Sequence, residues 1–168
     1  QEFGLSPAII SRGYKKQSRG VVVVSDGAKL LTTPEYSGDE PYMLGTLLKN
    51  VPIIVGNKLQ SILMGIDLFN VSTFIIDDGF QTLNINKNIN ILLIDLSSPL
   101  NNYKALPLGL LREPVSQICR ADIVVYTKKN IANRKNSLKV ERLIGPYVDK
   151  NKLPFFYSDF CCSVSYSE

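Results

Sequence analysis

The stretch Val71-Ser-Thr-Phe-Ile-Ile-Asp-Asp-Gly-Phe-Gln81 constrains this chain more than any other. An apolar run climbs to two adjacent carboxylates, and a glycine then turns the chain. Phe74, Ile75 and Ile76 have the β-branched and aromatic character, without polar alternation, of a strand buried on both faces. Asp77 and Asp78 then fall at the C-terminal edge of that strand, where open parallel α/β sheets place their ligand chemistry. An acidic residue there suits Mg²⁺ or its water shell, because a hard cation prefers carboxylate oxygens. The same Asp-Asp-Gly also makes a good solvated turn.

Composition narrows the classes. Apolar residues make up 45% and charged residues 20% of 168 residues, which is ordinary globular composition with enough chain for one domain and its core. The net charge of +4 is mild, and its lysines and arginines form no stripe interleaved with aromatics, which argues against nucleic acid as a partner. Cys119, Cys161 and Cys162 match neither a disulfide framework nor zinc-ligand spacing, so a reduced, cytosolic setting is expected. With no histidine at all, an imidazole base or His-ligated metal is excluded within these residues. The longest apolar runs are strand-sized. The first residues, Gln1 to Pro7, read like a helix end with its exit loop, and the end follows the strand-like Leu153–Tyr157; the chain is expected to be a fragment truncated at both ends.

Between these ends, strands alternate with helices. Strands are expected at 7–12, 20–24, 51–55, 71–77, 89–95 and 121–126, the run Ile89-Asn-Ile-Leu-Leu-Ile-Asp95 as another buried one, and helices at 39–50, 59–70 and 132–148. The second helix carries Ile62, Leu63, Ile66 and Phe69 as its apolar positions. Such alternation implies right-handed crossovers and an α/β fold, a mainly parallel sheet flanked by helices.

Three further segments carry polar groups that can act on phosphate. Ser11-Arg12-Gly13-Tyr14 ends the first strand with a guanidinium fork and a phenol, able to meet an anion or sugar or simply to form a basic surface turn. Gly38-Asp39-Glu40-Pro41 is a helix start in which Asp39 reads as the N-cap; its carboxylate equally suits a general base for a substrate hydroxyl. In Leu106-Pro-Leu-Gly-Leu-Leu-Arg-Glu-Pro114, Arg112 can stabilise charge on a transferring phosphoryl group and Glu113 can reach a metal, or the two can pair with each other.

Taken together, Ser-Arg-Gly-Tyr (11–14), Gly-Asp-Glu-Pro (38–41), Asp-Asp-Gly-Phe-Gln (77–81), Asn-Ile-Leu-Leu-Ile-Asp (90–95), Leu-Arg-Glu-Pro (111–114) and Ala-Asp-Ile-Val-Val (121–125) resemble, in order and spacing, the tetraacyldisaccharide 4′-kinases, the lipid A 4′-kinases of Gram-negative bacteria. The resemblance covers nearly the whole chain. It implies the central part of a P-loop kinase-like domain (residues 1–168) that uses ATP and Mg²⁺ to phosphorylate the 4′-hydroxyl of a lipid-linked glucosamine disaccharide, peripherally at the cytoplasmic face of the inner membrane. By matching motif, Asp39 would be the base. Asp77 and Asp78 would serve the Mg²⁺–ATP site with Gln81 beside them, Arg112 and Glu113 would act at the phosphates and metal, and Arg12 and Tyr14 would line the substrate site. The family's Gly-rich phosphate loop and its histidine partner are not in these residues. Thr82, Lys15, Leu59 and Leu110 stand where the family usually has His, Gly, Arg and Pro. These departures also admit a different reading, a non-catalytic nucleotide-fold module used for binding or regulation.

Overall fold

In the computed structural model, residues 4–13 and 16–161 are described. The chain forms two compact units, Gln1–Ile85 and Asn86–Glu168.

The first unit is built on a four-stranded sheet. Strand β1 (Pro7–Ser11) lies at its interior, parallel to β3 (Ile53–Val55) on one side and to β4 (Thr73–Ile76) on the other. β2 (Val22–Ser25) completes the order β2-β3-β1-β4 and runs antiparallel to β3. The β-branched runs that mark these strands in the sequence form the core: Ala8, Ile10, Val24, Ile53, Ile54 and Val55 have no exposed surface. Helices α1 (Pro34–Ser37), α2 (Asp39–Leu47) and α3 (Lys58–Leu68) complete the unit. Leu44 and Leu48 pack onto Ile9, Val24, Ile53 and Val55, as the helical spacing of the leucines requires.

Two expectations change here. β4 is not buried on both faces: it is an edge strand of this sheet, and Ile75 is 54% exposed. Helix α3 turns Lys58, Ser61 and Gly65 inward and leaves Leu63 and Ile66 exposed. The small residues allow the close approach. A Cβ on Gly65 would lie 2.9 Å from the Phe74 ring and 3.2 Å from Ile54 Cδ1. Gly65→Val is therefore expected to overpack this contact and destabilise the unit by about 1–3 kcal/mol, despite valine's better helix propensity. A melting temperature equal to that of the parent protein would contradict the close packing.

The second unit carries a parallel sheet in the order β5 (Ile91–Asp95), β6 (Ile123–Thr127), β7 (Phe155–Tyr157). Short 3-10 turns at Leu100–Tyr103 and Val115–Arg120, each entered from a proline, link β5 to β6. Helix α4 (Arg134–Lys150) is capped by Asn133, whose side-chain oxygen accepts from the backbone N–H of Lys135 and Asn136. Val140, Ile144 and Val148 of α4 join Ile94, Leu96, Ile118, Ala121, Val124 and Tyr126 in the core. β5 was expected to be buried; as an edge strand it exposes Ile91 and Leu93 instead.

Burial raises the phenols of Tyr103 and Tyr126 to about 12, with the charge of Asp95 adding to the first, and Tyr157, Glu141 and Asp149 adding to the second. A folded-state pKa above the unfolded value of about 10 stabilises the fold below that pH and is lost as pH rises toward 12. Alkaline unfolding in that window, with the Tyr103 and Tyr126 phenols, resolved individually by NMR, ionising together with the loss of helical circular dichroism, is the expected outcome. Ionisation of these two phenols at about pH 10, well ahead of unfolding, would contradict it.

Candidate functional site

Residues of the first unit that the sequence marks as candidates for phosphate chemistry come together at the C-terminal ends of β1 and β4. The chain leaves β4 through a tight turn in which Asp78 takes a left-handed backbone, φ 48°, a conformation that aspartate tolerates better than most side chains. The Asp77 N–H donates to the Ile10 carbonyl at 2.9 Å, continuing the parallel ladder by one residue. Its carboxylate Oδ2 accepts from the buried Ser11 Oγ at 3.0 Å. Both aspartates are exposed, as is Gln81.

Ser11 thus ties the acidic edge to the Ser-Arg-Gly turn. Its carbonyl accepts from the Gly56 N–H at 3.0 Å, which fixes the end of β1 against the end of β3. Arg12 follows, exposed, and Gly13 is buried with φ 70°. A Cβ on Gly13 would lie 2.8 Å from the Ser37 carbonyl oxygen and 2.8 Å from Lys16 Cδ, so only glycine lets this turn press against the residue that precedes Gly38-Asp39. Tyr14 lies outside the described residues.

Asp39 is not the N-cap that its sequence context suggests. Gly38 holds that position, with φ 90°, and no side chain caps α2; Asp39 is the first helical residue and is exposed. The cause is local. α1 ends directly at Gly38, whose N–H donates to the Pro34 carbonyl at 2.7 Å, and only glycine adopts the required turn easily. The Asp39 carboxylate is therefore not consumed as a cap.

In the second unit, Arg112 and Glu113 leave a folded loop. The N–H groups of Leu106, Leu110 and Leu111 donate to the carbonyls of Leu111, Asn102 and Lys104, and the peptide bond before Pro107 is cis. A Cβ on Gly109 would overlap the Lys104 carbonyl oxygen at 2.3 Å, which makes glycine obligatory there. Glu113 Oε2 is paired with the Arg120 guanidinium, a half-buried pair that the sequence reading did not foresee. Arg112 is exposed.

Asp95, at the C-terminal end of β5, accepts from the Ser97 N–H at 2.9 Å and from Ser97 Oγ at 2.6 Å, and pairs with Lys128 at 2.7 Å. Partial burial pushes its carboxyl up, but the hydrogen bonds from Lys128 and Ser97 and the Lys128 charge outweigh it and hold the pKa low. Tyr103 donates to the Asp95 carbonyl at 2.6 Å and so anchors the start of the Arg112 loop to the strand end. Sequence reasoning placed Asp95 in a motif but gave it no role. The pairing with Lys128 has no local signal, because the partners are 33 residues apart.

Adjacent exposed carboxylates at Asp77 and Asp78 fit Mg²⁺, which takes one or two carboxylates and completes its octahedron with water and phosphate oxygens. Among the described residues, no group of three or more His, Cys, Asp or Glu is placed to hold a metal ion, and no helix is long and apolar enough to cross a membrane.

Comparison with known proteins bears on this geometry. Residues 1–155 match the family model of the tetraacyldisaccharide-1-P 4′-kinases. The tetraacyldisaccharide 4′-kinase of Geobacter metallireducens is 42% identical over 127 residues, 74% of this chain and 38% of that protein. That of Desulfotalea psychrophila is 39% identical over 142 residues, 83% of this chain and 41% of that protein. Among solved structures, LpxK from Aquifex aeolicus in complex with ATP superposes with a TM-score of 0.70 at 34% identity, covering 77% of this chain and 41% of that one. The chain thus spans less than half the length of the curated relatives it matches.

Proposed function

The chain belongs to the tetraacyldisaccharide-1-P 4′-kinase family, and we propose that it forms the central part of a longer lipid kinase that transfers the γ-phosphoryl group of ATP to the 4′-hydroxyl of a tetraacyl glucosamine disaccharide 1-phosphate. The observation that carries this reading is the linkage of three motifs at one end of the first unit's sheet. Ser11 bonds to Asp77, and Gly13 packs against Ser37, beside Gly38-Asp39.

Asp39, exposed and free of a capping duty, accepts the proton of the attacking hydroxyl as general base. Asp77 and Asp78 hold Mg²⁺, which when bound neutralises charge on the phosphate oxygens. The Ser11 hydroxyl restricts Asp77 to one orientation, and Gln81 follows the same turn as a polar contact for the nucleotide. In the second unit, Arg112 and Glu113 carry the Leu-Arg-Glu-Pro motif, whose expected work in the family is on phosphate charge and metal, and in the first Arg12 and Tyr14 bind the substrate's phosphate and sugar. The enzyme works at the cytoplasmic face of the inner membrane, where its lipid substrate resides.

Expression of the complete reading frame in a bacterium depleted of its own tetraacyldisaccharide 4′-kinase tests the proposal. Restored growth with disappearance of the accumulated disaccharide 1-phosphate is expected. Continued accumulation despite soluble, folded protein would overturn it.

A further inference from the structure

Lys58 is the first residue of α3 and only 6% exposed, a burial that lysine rarely shows. Neither the helix nor the core asks for a cation here. The N-cap role belongs to Asn57, whose side chain accepts from the Gln60 N–H, and a positive charge at a helix N-terminus opposes the macrodipole. Removing an ammonium from water is costly as well. Its Nζ instead donates to the backbone carbonyl of Asp78, 20 residues away, across the end of the sheet.

That carbonyl belongs to the residue with φ 48° in the turn between Ile76 and Gly79. The turn is also closed on its other side: a Cβ on Gly79 would lie 2.9 Å from the Ile76 carbonyl oxygen. With the Asp78 carbonyl held by a buried ammonium and the Asp77 carboxylate held by Ser11, both acidic residues are fixed from beneath while remaining exposed.

We propose that Lys58 is a positioning residue of the acidic edge: by holding the Asp78 carbonyl it sets the geometry in which Asp77 and Asp78 bind the divalent cation that accompanies the nucleotide. This inference rests on the kinase reading of Asp77 and Asp78. It gives Lys58 no contact with substrate, so its loss acts on the metal and the chemical step and leaves lipid binding alone.

The test uses the complete kinase, with Mn²⁺ as probe in the presence of a non-hydrolysable ATP analogue and free Mn²⁺ read by electron paramagnetic resonance. Lys58→Met keeps an unbranched stem and deletes the ammonium. It is expected to weaken Mn²⁺ binding about tenfold, at the lower end of the effect of removing a group that orients metal ligands, and to lower kcat with the KM for the disaccharide unchanged. Lys58→Gln, which retains one N–H donor, is expected to lie between Lys58→Met and wild type, and it carries the test if Lys58→Met does not fold. Mn²⁺ affinity equal to or tighter than wild type in the folded variant would overturn the inference, since mere removal of a nearby positive charge would tighten cation binding. Asp77→Asn and Asp78→Asn are measured alongside. If both leave Mn²⁺ binding unchanged, the metal reading itself falls; if they weaken it and the Lys58 variants do not, only the role of Lys58 falls.

Discussion

Asp77→Asn and Asp78→Asn, each made in the complete protein, are expected to lower 4′-kinase turnover by about 10²-fold or more while leaving the melting temperature within a few degrees. A metal ligand contributes several kcal/mol of charge stabilisation in phosphoryl transfer, and each 1.36 kcal/mol is a factor of ten in rate. The fold has little reason to notice either change. Asparagine at 77 still offers an oxygen to the Ser11 hydroxyl, and at 78 it tolerates a left-handed backbone as well as aspartate does. Steady-state kinetics over a Mg²⁺ titration, with thermal unfolding of the same preparations, checks both halves. Near wild-type activity in both variants would reduce the acidic edge to a turn.

Asp39→Asn is expected to lower turnover by about 10²–10⁴-fold, because an amide cannot take the proton of the 4′-hydroxyl. The sequence alone leaves a competing role for this residue, as N-cap of α2, in which Asp39→Ala would cost about 0.5–2 kcal/mol. With Gly38 in the capping position, that cost is not expected. Only the favourable interaction of an anion with the first turn is lost, about 0.3–1 kcal/mol. A variant within a few-fold of wild-type turnover would remove Asp39 from the chemistry.

Much of this arrangement was legible in the sequence, for identifiable reasons. The β-branched runs around Ile9, Ile54 and Val124 announced strands, and the helix expected at 132–148 is α4 within two residues at each end, whereas its Asn133 cap and its buried Val140, Ile144 and Val148 came only from the structure. The antiparallel β2 was not legible, because a short run of valines looks the same in either direction. Nor was the inward face of α3. Periodicity marks leucine and isoleucine, whereas the sheet here approaches Ser61 and Gly65. Ile75, Ile91 and Leu93 read as buried and are exposed, since local sequence does not say which strands end a sheet.

At the candidate site, the ordered motifs located the acidic edge, the Ser-Arg-Gly turn and the start of α2 correctly as strand ends and a helix start. What they could not show are contacts made across the fold. Ser11 with Asp77, Lys58 with Asp78 and Asp95 with Lys128 each join residues at least 20 positions apart. The pairing of Glu113 with Arg120 is nearer in sequence, but it depends on the 3-10 turn that brings Arg120 back.

The most direct test of the central claim is phosphoryl transfer by the purified complete protein, given ATP, Mg²⁺ and tetraacyldisaccharide 1-phosphate, with the product analysed by phosphorus NMR. A second phosphate monoester on the 4′-oxygen, formed in proportion to ADP and absent without Mg²⁺, is the expected result. No transfer by folded protein under these conditions, or a phosphate on any other hydroxyl, would contradict the account.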